Sequence, residues 1–573
     1  MEEWRVHSKK AEFDEIGKVF SIDPVIARII RNRNVIGVNN INKYRNGTLD
    51  DMYSPHLMKD MDLGVSLIDN SINMGEAIRI IGDYDIDGIC SIYILYKGLI
   101  KAGAKVDYEV PDRITDGYGI NESLIDKAHK DGIKVIVTCD NGIAAISQIE
   151  YAKSLGMTVV ITDHHDVQYL EENGVKKYII PNADAVINPK QENCSYPYDK
   201  LCGAGVAYKF IEALFEKRGI DKSYREEFIQ FVAIATIGDI VDLQDENRIL
   251  VKEGLKRIKN TDNQGLLALI RLNDLLPEKI NAYHIGFIIG PCLNASGRLD
   301  TAKRAITLFM CEDREMAEKY AGELKALNDE RKNMTAKATE DAIKLIGETD
   351  LSDDNVLVIY LPDCHESIAG IVAGRIKDKF YKPTIVLTKA TEGLKGSARS
   401  IEGYNIFEKL LEVKVLLTKF GGHPMAAGLS LPVDNLVALR RMLNDNHGME
   451  SQILTKIIWI DVPMPVDYIN EKLIDELGYL APFGKGNEKP VFADKELTIR
   501  QVQPLGKNNN FTKLYLENKK GYKIEAVGFF DADELKKAYA AKQKISCTYY
   551  PEINEFRGNR KLQINITGYK IEI

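Results

Sequence analysis

No two of the eight cysteines stand as a CxxC pair, and most lie in apolar surroundings such as "VTCDNG" and "GPCLNA". That spacing argues against a zinc cage and a disulfide framework and favours reduced, buried thiols. The start, "MEEWRVHSKKAEFDEIGKVF", lacks the basic head and apolar run of a secretion signal and the Arg-rich pattern of a transit peptide. No apolar segment approaches membrane-spanning length, and no low-complexity tract suggests long disorder. A GxxxxGK[ST] loop is also missing, so no nucleoside triphosphate is evident as an energy source. These absences predict a cytoplasmic protein, folded nearly throughout, with no membrane partner.

What is present is more directive. At 573 residues the chain is too long for one hydrophobic core and should divide into several domains. Its net charge of −8 argues mildly against a general nucleic-acid binder. Residues 485–573, however, hold 17 Lys/Arg against 11 Asp/Glu, so the tail is basic while acids concentrate upstream.

Between about residues 75 and 190, short apolar runs alternate with helical patterns: "EAIRIIG" then "SIYILYKGLIKAG", "KVIVTCD" then "AAISQIEYAKSLG", and "MTVVITD". Repeated strand-helix-strand units predict an α/β fold with a parallel sheet. Each of these strands ends in an acid. Because ligands bind at the carboxyl ends of strands in open α/β sheets, Asp83, Asp85 and Asp87, Asp140, and Asp163 with His164 and His165 should converge there. A mostly helical stretch runs to about residue 310. The segment after Cys311 has no Pro and a single Gly, Gly322, before Gly347, repeats small or apolar residues at helical spacing, and predicts one long helix bridging two domains. A second, smaller α/β unit then ends near residue 450, and the last hundred residues alternate like the strands of a small β-barrel.

Carboxylates this close together are tolerable when a divalent cation neutralises them, and imidazole among the ligands favours Mn²⁺ over Mg²⁺. Taken singly, "DYDIDG" fits a solvated acidic turn as well as a metal site. "TDHH" alone fits a capping Asp beside surface histidines, and Asp239 of "ATIGDIVDL" fits a plain helix C-terminal acid. Several acids and a His-His pair, each after its own buried strand, favour the metal. "GSARS" alone reads as a surface loop in which Ser397 and Arg399 suit either solvent or a phosphate. "FGGHPMAAG" alone fits a tight strand-to-helix turn with a structural His423. The aromatics Phe511, Tyr515, Tyr522, Phe529, Tyr549 and Phe556, interleaved with Lys and Arg, suit single-strand stacking, although each alone fits barrel core.

The ordered series "GDYDIDG", "CDNGI", "TDHH", "CGAGVAYK", "ATIGDIVDL", "LNASGRL", "GSARSIEGYNIF", "FGGHPMAAG" and "LAPFGKGNEKPVF" resembles the DHH phosphoesterase superfamily, and closely its RecJ branch of single-strand-specific exonucleases. The match runs almost end to end. That resemblance implies an N-terminal extension (1–48), a DHH catalytic domain (49–310), a linker helix (311–347), a DHHA1 domain (348–450) and an OB-fold nucleic-acid-binding domain (451–573). It implies that Asp85, Asp87, Asp140, His164 and Asp239 ligate two ions, Mn²⁺ or Mg²⁺, with Asp140 bridging them and Asp83 a further ligand or neighbour. His165 would touch the scissile phosphate, with Asp163 orienting a histidine from behind. Arg113, Arg298, Ser397 and Arg399 would form a 5′-phosphate pocket, and His423 would contact substrate. One position departs from the family's pattern: Ile81 stands where relatives often carry histidine.

The implied activity is metal-dependent 5′→3′ hydrolysis of single-stranded DNA to 5′-mononucleotides, in repair and recombination. The protein would be a monomer that works with a RecQ-type helicase and a single-strand-binding protein. Two alternatives remain open at this point: a DHH-family phosphodiesterase acting on oligoribonucleotides or cyclic dinucleotides, and a non-catalytic DHH-fold scaffold that binds nucleic acid.

Overall fold

In the computed structural model, which describes residues 2–113, 117, 119–172, 175–450, 452–505, 511–530, 532–556 and 558–572, the chain separates into two compact units. One comprises residues 52–241 and 246–456; the other comprises 2–51, 242–245 and 457–573.

The first unit opens with a five-stranded parallel sheet. In spatial order its strands are Lys105–Glu109, Ala77–Gly82, Val135–Cys139, Thr158–Thr162 and Ala185–Ile187. Their sequence order across the sheet is therefore 2-1-3-4-5. The chain reverses direction across the sheet between the first and third strands, where such folds leave a crevice for ligands. Val135–Cys139 is wholly buried, which accounts for its unbroken apolar reading. Ile81, at the position of the expected histidine, is completely buried in the hydrophobic cluster that includes Ile136, Val159 and Ile161. Register aligns three strand ends: Gly82 pairs with Cys139, and Cys139 with Thr162. The next residues are Asp83, Asp140 and Asp163.

The bridging helix runs Arg314–Glu348, 35 residues, or about 52 Å at the ordinary α-helical rise. Asp313 caps its start, accepting from the Met316 N–H at 2.8 Å. Its buried face carries small residues, among them Ala317, Ala321, Ala338 and Ala342. The helix packs first on Gln264–Leu272 and Gly290–Leu299, then on Glu366–Phe380. A second sheet follows, in the order Lys419–His423, Ala426–Leu431, Leu394–Arg399, Thr384–Lys389 and Leu357–Tyr360, with only the last pair parallel.

In the second unit, strands Phe492–Leu505, Phe511–Glu517, Lys523–Gly528, Asn559–Ile571 and Lys544–Phe556 pair in turn, and the last returns to the first to close a barrel. The N-terminal residues belong to this same unit. Strand Glu2–Val6 pairs with Lys456–Ile460, and Ile26, Ile29 and Ile30 share the core of Phe492 and Tyr549. Arg33 holds Asp461 through two hydrogen bonds of 2.8 and 3.1 Å, both side chains buried. Among the described residues, no helix is long and apolar enough to cross a membrane.

Candidate active site

Asp83 and Asp140, at two of the three aligned strand ends, lie within ligand reach of each other and of Asp85, and each carboxylate here is held by its own local logic. Asp85 caps the helix Ile86–Lys101, accepting from the N–H groups of Asp87 and Gly88 at 2.9 and 3.1 Å. Asp87, completely buried, accepts from the N–H groups of Gly203 and Ala204 at 2.6 and 2.7 Å, at the start of the helix Gly203–Arg218. A helix N-terminus favours the ionised carboxylate there. Gly203 lets that helix approach: a Cβ on it would lie 2.7 Å from the Cβ of Asp140. Asp140 itself adopts a left-handed backbone, φ 59°, uncommon outside glycine and most tolerated by Asp and Asn.

His164 Nε2 gathers the rest. It lies 3.1 Å from Asp140 Oδ1, 3.5 Å from Asp87 Oδ2 and 3.8 Å from Asp239 Oδ2. Asp239 sits at the C-terminal end of the helix Ile229–Gly238, so it is both a helix-end acid and a member of this cluster. Three sets of donor atoms fall within 4.8 Å of one another: Asp140, His164 and His165; Asp87, His164 and Asp239; Asp83, Asp85 and Asp140. Asp140 and His164 each belong to two of them.

Burial first, then neighbouring carboxylates, raises the pKa of Asp83, Asp87, Asp140 and Asp239 above the usual carboxylate range. Asp83 Oδ1 is buried without a hydrogen-bond partner among the described residues. An orphaned carboxylate oxygen among like charges is what a divalent cation would satisfy, and the mixed oxygen and imidazole donors fit Mn²⁺, with Mg²⁺ served by the oxygens.

Asp163 differs. Its two oxygens accept from the N–H groups of Ile143 at 2.9 Å, His164 at 2.7 Å and His165 at 3.1 Å, and from His165 Nδ1 at 2.8 Å. Burial works to raise its pKa, but the hydrogen bond and charge of His165 outweigh that and hold it at about 2. Burial would correspondingly lower His165; its bond to Asp163 and the surrounding carboxylates raise it to about 9. A carboxylate so fully engaged positions the imidazole from behind. Asn188 adds a bond to the His165 carbonyl at 2.9 Å.

Ser397 and Arg399 lie on the strand Leu394–Arg399, which corrects the loop expected for "GSARS". The alternation of a strand puts these two side chains on one face, while Ala398 is completely buried on the other. Gly370 gives them room, because a Cβ there would stand 2.7 Å from Arg399 Nη2 and 3.3 Å from Ser397 Oγ. Arg298 donates to the Ser367 carbonyl at 2.9 Å, and the Arg113 guanidinium lies 5.0 Å from the Tyr84 ring centre. Burial, then Arg113 and Arg331, depresses Arg298 to about 10; burial, then Arg113, lowers Arg399. Three guanidinium groups from distant segments thus share one neighbourhood. A cavity of about 330 Å³ adjoins, lined by Arg113, Ser367, Lys395, Ser397, Lys419 and Phe420 among others. Such a site suits an anion.

"FGGHPMAAG" forms two antiparallel strands rather than a strand-to-helix turn, and His423 is exposed at the end of the edge strand. The hydrogen bond from Lys190 leads in lowering the pKa of Asp166, with smaller contributions from the charges of Lys190, His423 and His165. The tail aromatics divide. Tyr549 is barrel core, its hydroxyl donating to the Met464 carbonyl at 2.6 Å, whereas Phe529 is 80% exposed and lies against Phe511, ring centres 4.9 Å apart. The Phe556 side chain lies outside the described residues.

Sequence reasoning assigned no role to Tyr84, Asn188, Asn141 or Asn294. Asn141 donates to the carbonyls of Ile81 and Cys139 and ties two strand ends together, and Asn294 accepts from the Ile86 N–H at 2.8 Å. Both lie inside motifs singled out above, but only their tertiary partners reveal what they hold.

The family model for the DHH family, N-terminal domain, matches residues 77–236; the DHHA1 domain model matches 353–447; the RecJ OB domain model matches 460–568. The chain is 35% identical over 549 residues to the single-stranded-DNA-specific exonuclease RecJ of Bacillus subtilis, covering 95% of this chain and 68% of that one. It is 32% identical to the same enzyme of Haemophilus influenzae over 96% of both chains. Among solved structures, RecJ from Thermus thermophilus in complex with Mn²⁺ shares the fold, with a TM-score of 0.84 over 99% of this chain and 79% of that one at 24% identity. An exonuclease RecJ bound to manganese aligns with a TM-score of 0.59 at 29% identity, over 68% of this chain and 94% of the other.

Proposed function

The chain belongs to the RecJ family of single-stranded-DNA-specific exonucleases, and from that premise we propose that it hydrolyses single-stranded DNA from the 5′ end and releases 5′-mononucleotides. The observation that carries this reading is the pairing of two sites within one unit: a carboxylate and histidine cluster that fits divalent ions, and a cationic pocket built by Arg113, Arg298 and Arg399 with Ser397.

Asp83, Asp85, Asp87, Asp140, His164 and Asp239 would hold Mn²⁺ or Mg²⁺, which when bound supplies an acidified water and charge neutralisation at the phosphate. The chain's own side chains do the rest. Asp163 fixes the His165 ring through Nδ1, and with a pKa near 9 that ring is cationic at neutral pH and suited to a phosphate oxygen through Nε2. The arginine pocket holds the terminal phosphate, so the bond presented for cleavage is set by its distance from the pocket. His423 supplies a second imidazole contact to substrate. The basic barrel, with the exposed Phe529 lying against Phe511, contributes single-strand affinity by charge and stacking. In the cell, a helicase of the RecQ type and a single-strand-binding protein would deliver the strand.

The test is a long single strand, labelled at one end or the other, incubated with Mn²⁺ with and without a 5′-phosphate. Mononucleotide should appear first from the 5′ label; a 3′ label released first would overturn the polarity. In the same assay Arg298→Met should raise KM about tenfold to a hundredfold for 5′-phosphorylated strands and much less for 5′-hydroxyl strands, because a buried charge-assisted contact contributes about 1.5–3 kcal/mol. Equal effects on both ends would remove Arg298 from the phosphate pocket.

Asp163→Asn should return His165 from about 9 toward the ordinary imidazole value near 6.5, read by NMR titration, and slow hydrolysis about tenfold to a hundredfold. An unmoved His165 titration would refute the positioning role.

A further inference from the structure

None of the three family models covers residues 1–76, yet the first thirty of these build a cationic cleft around an exposed aromatic stack. His7 follows the strand Glu2–Val6, and its N–H donates to the Ile460 carbonyl at 3.0 Å, which brings it beside Trp459 of the paired strand. The two rings stack with centres 4.9 Å apart and planes 16° from parallel. Burial lowers the pKa of His7, so near neutral pH the partner ring is uncharged imidazole. Trp459 is 43% exposed, a large apolar face offered to solvent from a rigid seat. The seat is rigid because Asp461, two residues on, is locked to Arg33 and to the Asn32 amide.

Beside this stack, Lys9, Lys10, Phe13 and Arg28 with His7 line a cleft of about 530 Å³, and Arg31 adjoins it by donating to the Lys10 carbonyl at 3.3 Å. Among the described residues, none of Lys9, Lys10, Arg28 and Arg31 is in an ion pair. Lys9 Nζ bonds instead to the Asn32 carbonyl at 2.8 Å and the Asn34 side chain at 2.7 Å. Arg28 donates to the His7 carbonyl at 3.3 Å, and its Nε is buried without a partner. Glu12 is the one acid on the lining. Four cations without carboxylate partners, gathered beside a stacked indole, match a polyanion whose subunits also carry flat apolar rings.

We infer that this cleft binds single-stranded nucleic acid, with a base stacking on Trp459 and the adjoining phosphates held by Lys9, Lys10, Arg28 and Arg31. The occupant follows from the chemistry: an acidic peptide satisfies the cations but leaves the indole face bare, whereas a single strand supplies both groups at nucleotide spacing. The substrate class rests on the function proposed above, but the contact is independent of catalysis. It is therefore tested with metal removed.

The chain has two tryptophans, so Trp4→Phe leaves Trp459 as the sole indole reporter in the full-length protein. Titrating this protein with oligo(dT) in EDTA should quench its fluorescence, and the quenching should weaken with added salt. Lys9→Ala/Lys10→Ala, checked for an unchanged melting temperature, should weaken binding about tenfold and reduce the slope of log K against log salt by about 1.4, at ~0.7 per phosphate contact on single strands. If the double variant does not fold, the fluorescence titration decides alone. Unquenched Trp459 fluorescence at saturating oligo(dT) overturns the inference. So does quenching by poly-glutamate where oligo(dT) gives none, since the cleft would then be a protein-docking site. A failure here leaves hydrolysis intact, and a loss of hydrolysis in Mn²⁺ leaves this titration unaffected.

Discussion

Asp140→Asn protein should hydrolyse single-stranded DNA about 10³-fold more slowly than the parent, yet melt at a higher temperature in EDTA. Both effects have one cause. Asp140 contributes an oxygen to two of the three donor sets and lies 3.1 Å from His164 Nε2. With ions bound, Asp140 would serve both donor sets, and losing its charge would forfeit several kcal/mol of the charge complementarity that acidifies water. Without ions the same charge is a burden, because burial and Asp87, Asp85 and Asp83 all disfavour it. Asparagine keeps the left-handed backbone at φ 59° at little cost. The measurements are steady-state hydrolysis at saturating Mn²⁺ and calorimetry in EDTA. Hydrolysis within tenfold of the parent would remove Asp140 from the centre of the site.

The second large effect is on stability. In EDTA the melting temperature should fall as pH rises from about 5 to 9, by an amount of order 10 °C, and saturating Mn²⁺ should flatten the profile. Asp83, Asp87, Asp140 and Asp239 have folded pKa values raised above those of the unfolded chain. The folded state then binds more protons than the unfolded state once pH exceeds the ordinary carboxylate value, and stability drops with rising pH. His165 adds to the same slope: raised to about 9, its contribution is complete below the ordinary imidazole pKa and is lost as pH climbs through 9. His164, lowered by burial and by the charge of His165, works the other way around pH 6.5 but is one group against five. Asp163, held at about 2, leaves this window untouched. A metal-free melting temperature that rises from pH 5 to 9 would contradict the buried carboxylate cluster.

The positions of the acids were legible in the chain because one rule governs them: parallel strands present their carboxyl ends to a common crevice, and each apolar run stops at an acid. The long helix was legible for an equally local reason, a run without Pro that repeats small or apolar residues at helical spacing. The division of labour among the acids was not. Asp87 and Asp163 look alike in sequence. One accepts from a helix N-terminus more than a hundred residues away, and the other is surrounded by donors from its own strand end and Ile143. "GSARS" reads as a loop because Gly, Ser and Ala have weak strand preference. Pairing with a strand on each side overrides that preference, and at Gly396 a Cβ would lie 2.5 Å from the Leu387 side chain.

Residues 2–51 show the limit most clearly, because nothing in "EEWRVHSKKAEFDE" indicates that it pairs with a strand some 450 positions later. The sequence by itself determined the fold class, the strand-end acids and histidines, and the kind of ion they suit, because these follow from periodicity and from charges fixed within a few residues. Only the tertiary structure decided which carboxylates are committed to backbone donors, how Arg113, Arg298 and Arg399 come to share one neighbourhood, and where Trp459 meets His7. Those outcomes are set by packing between remote segments, and hydrophobic burial is proportional to area and carries no address in the chain.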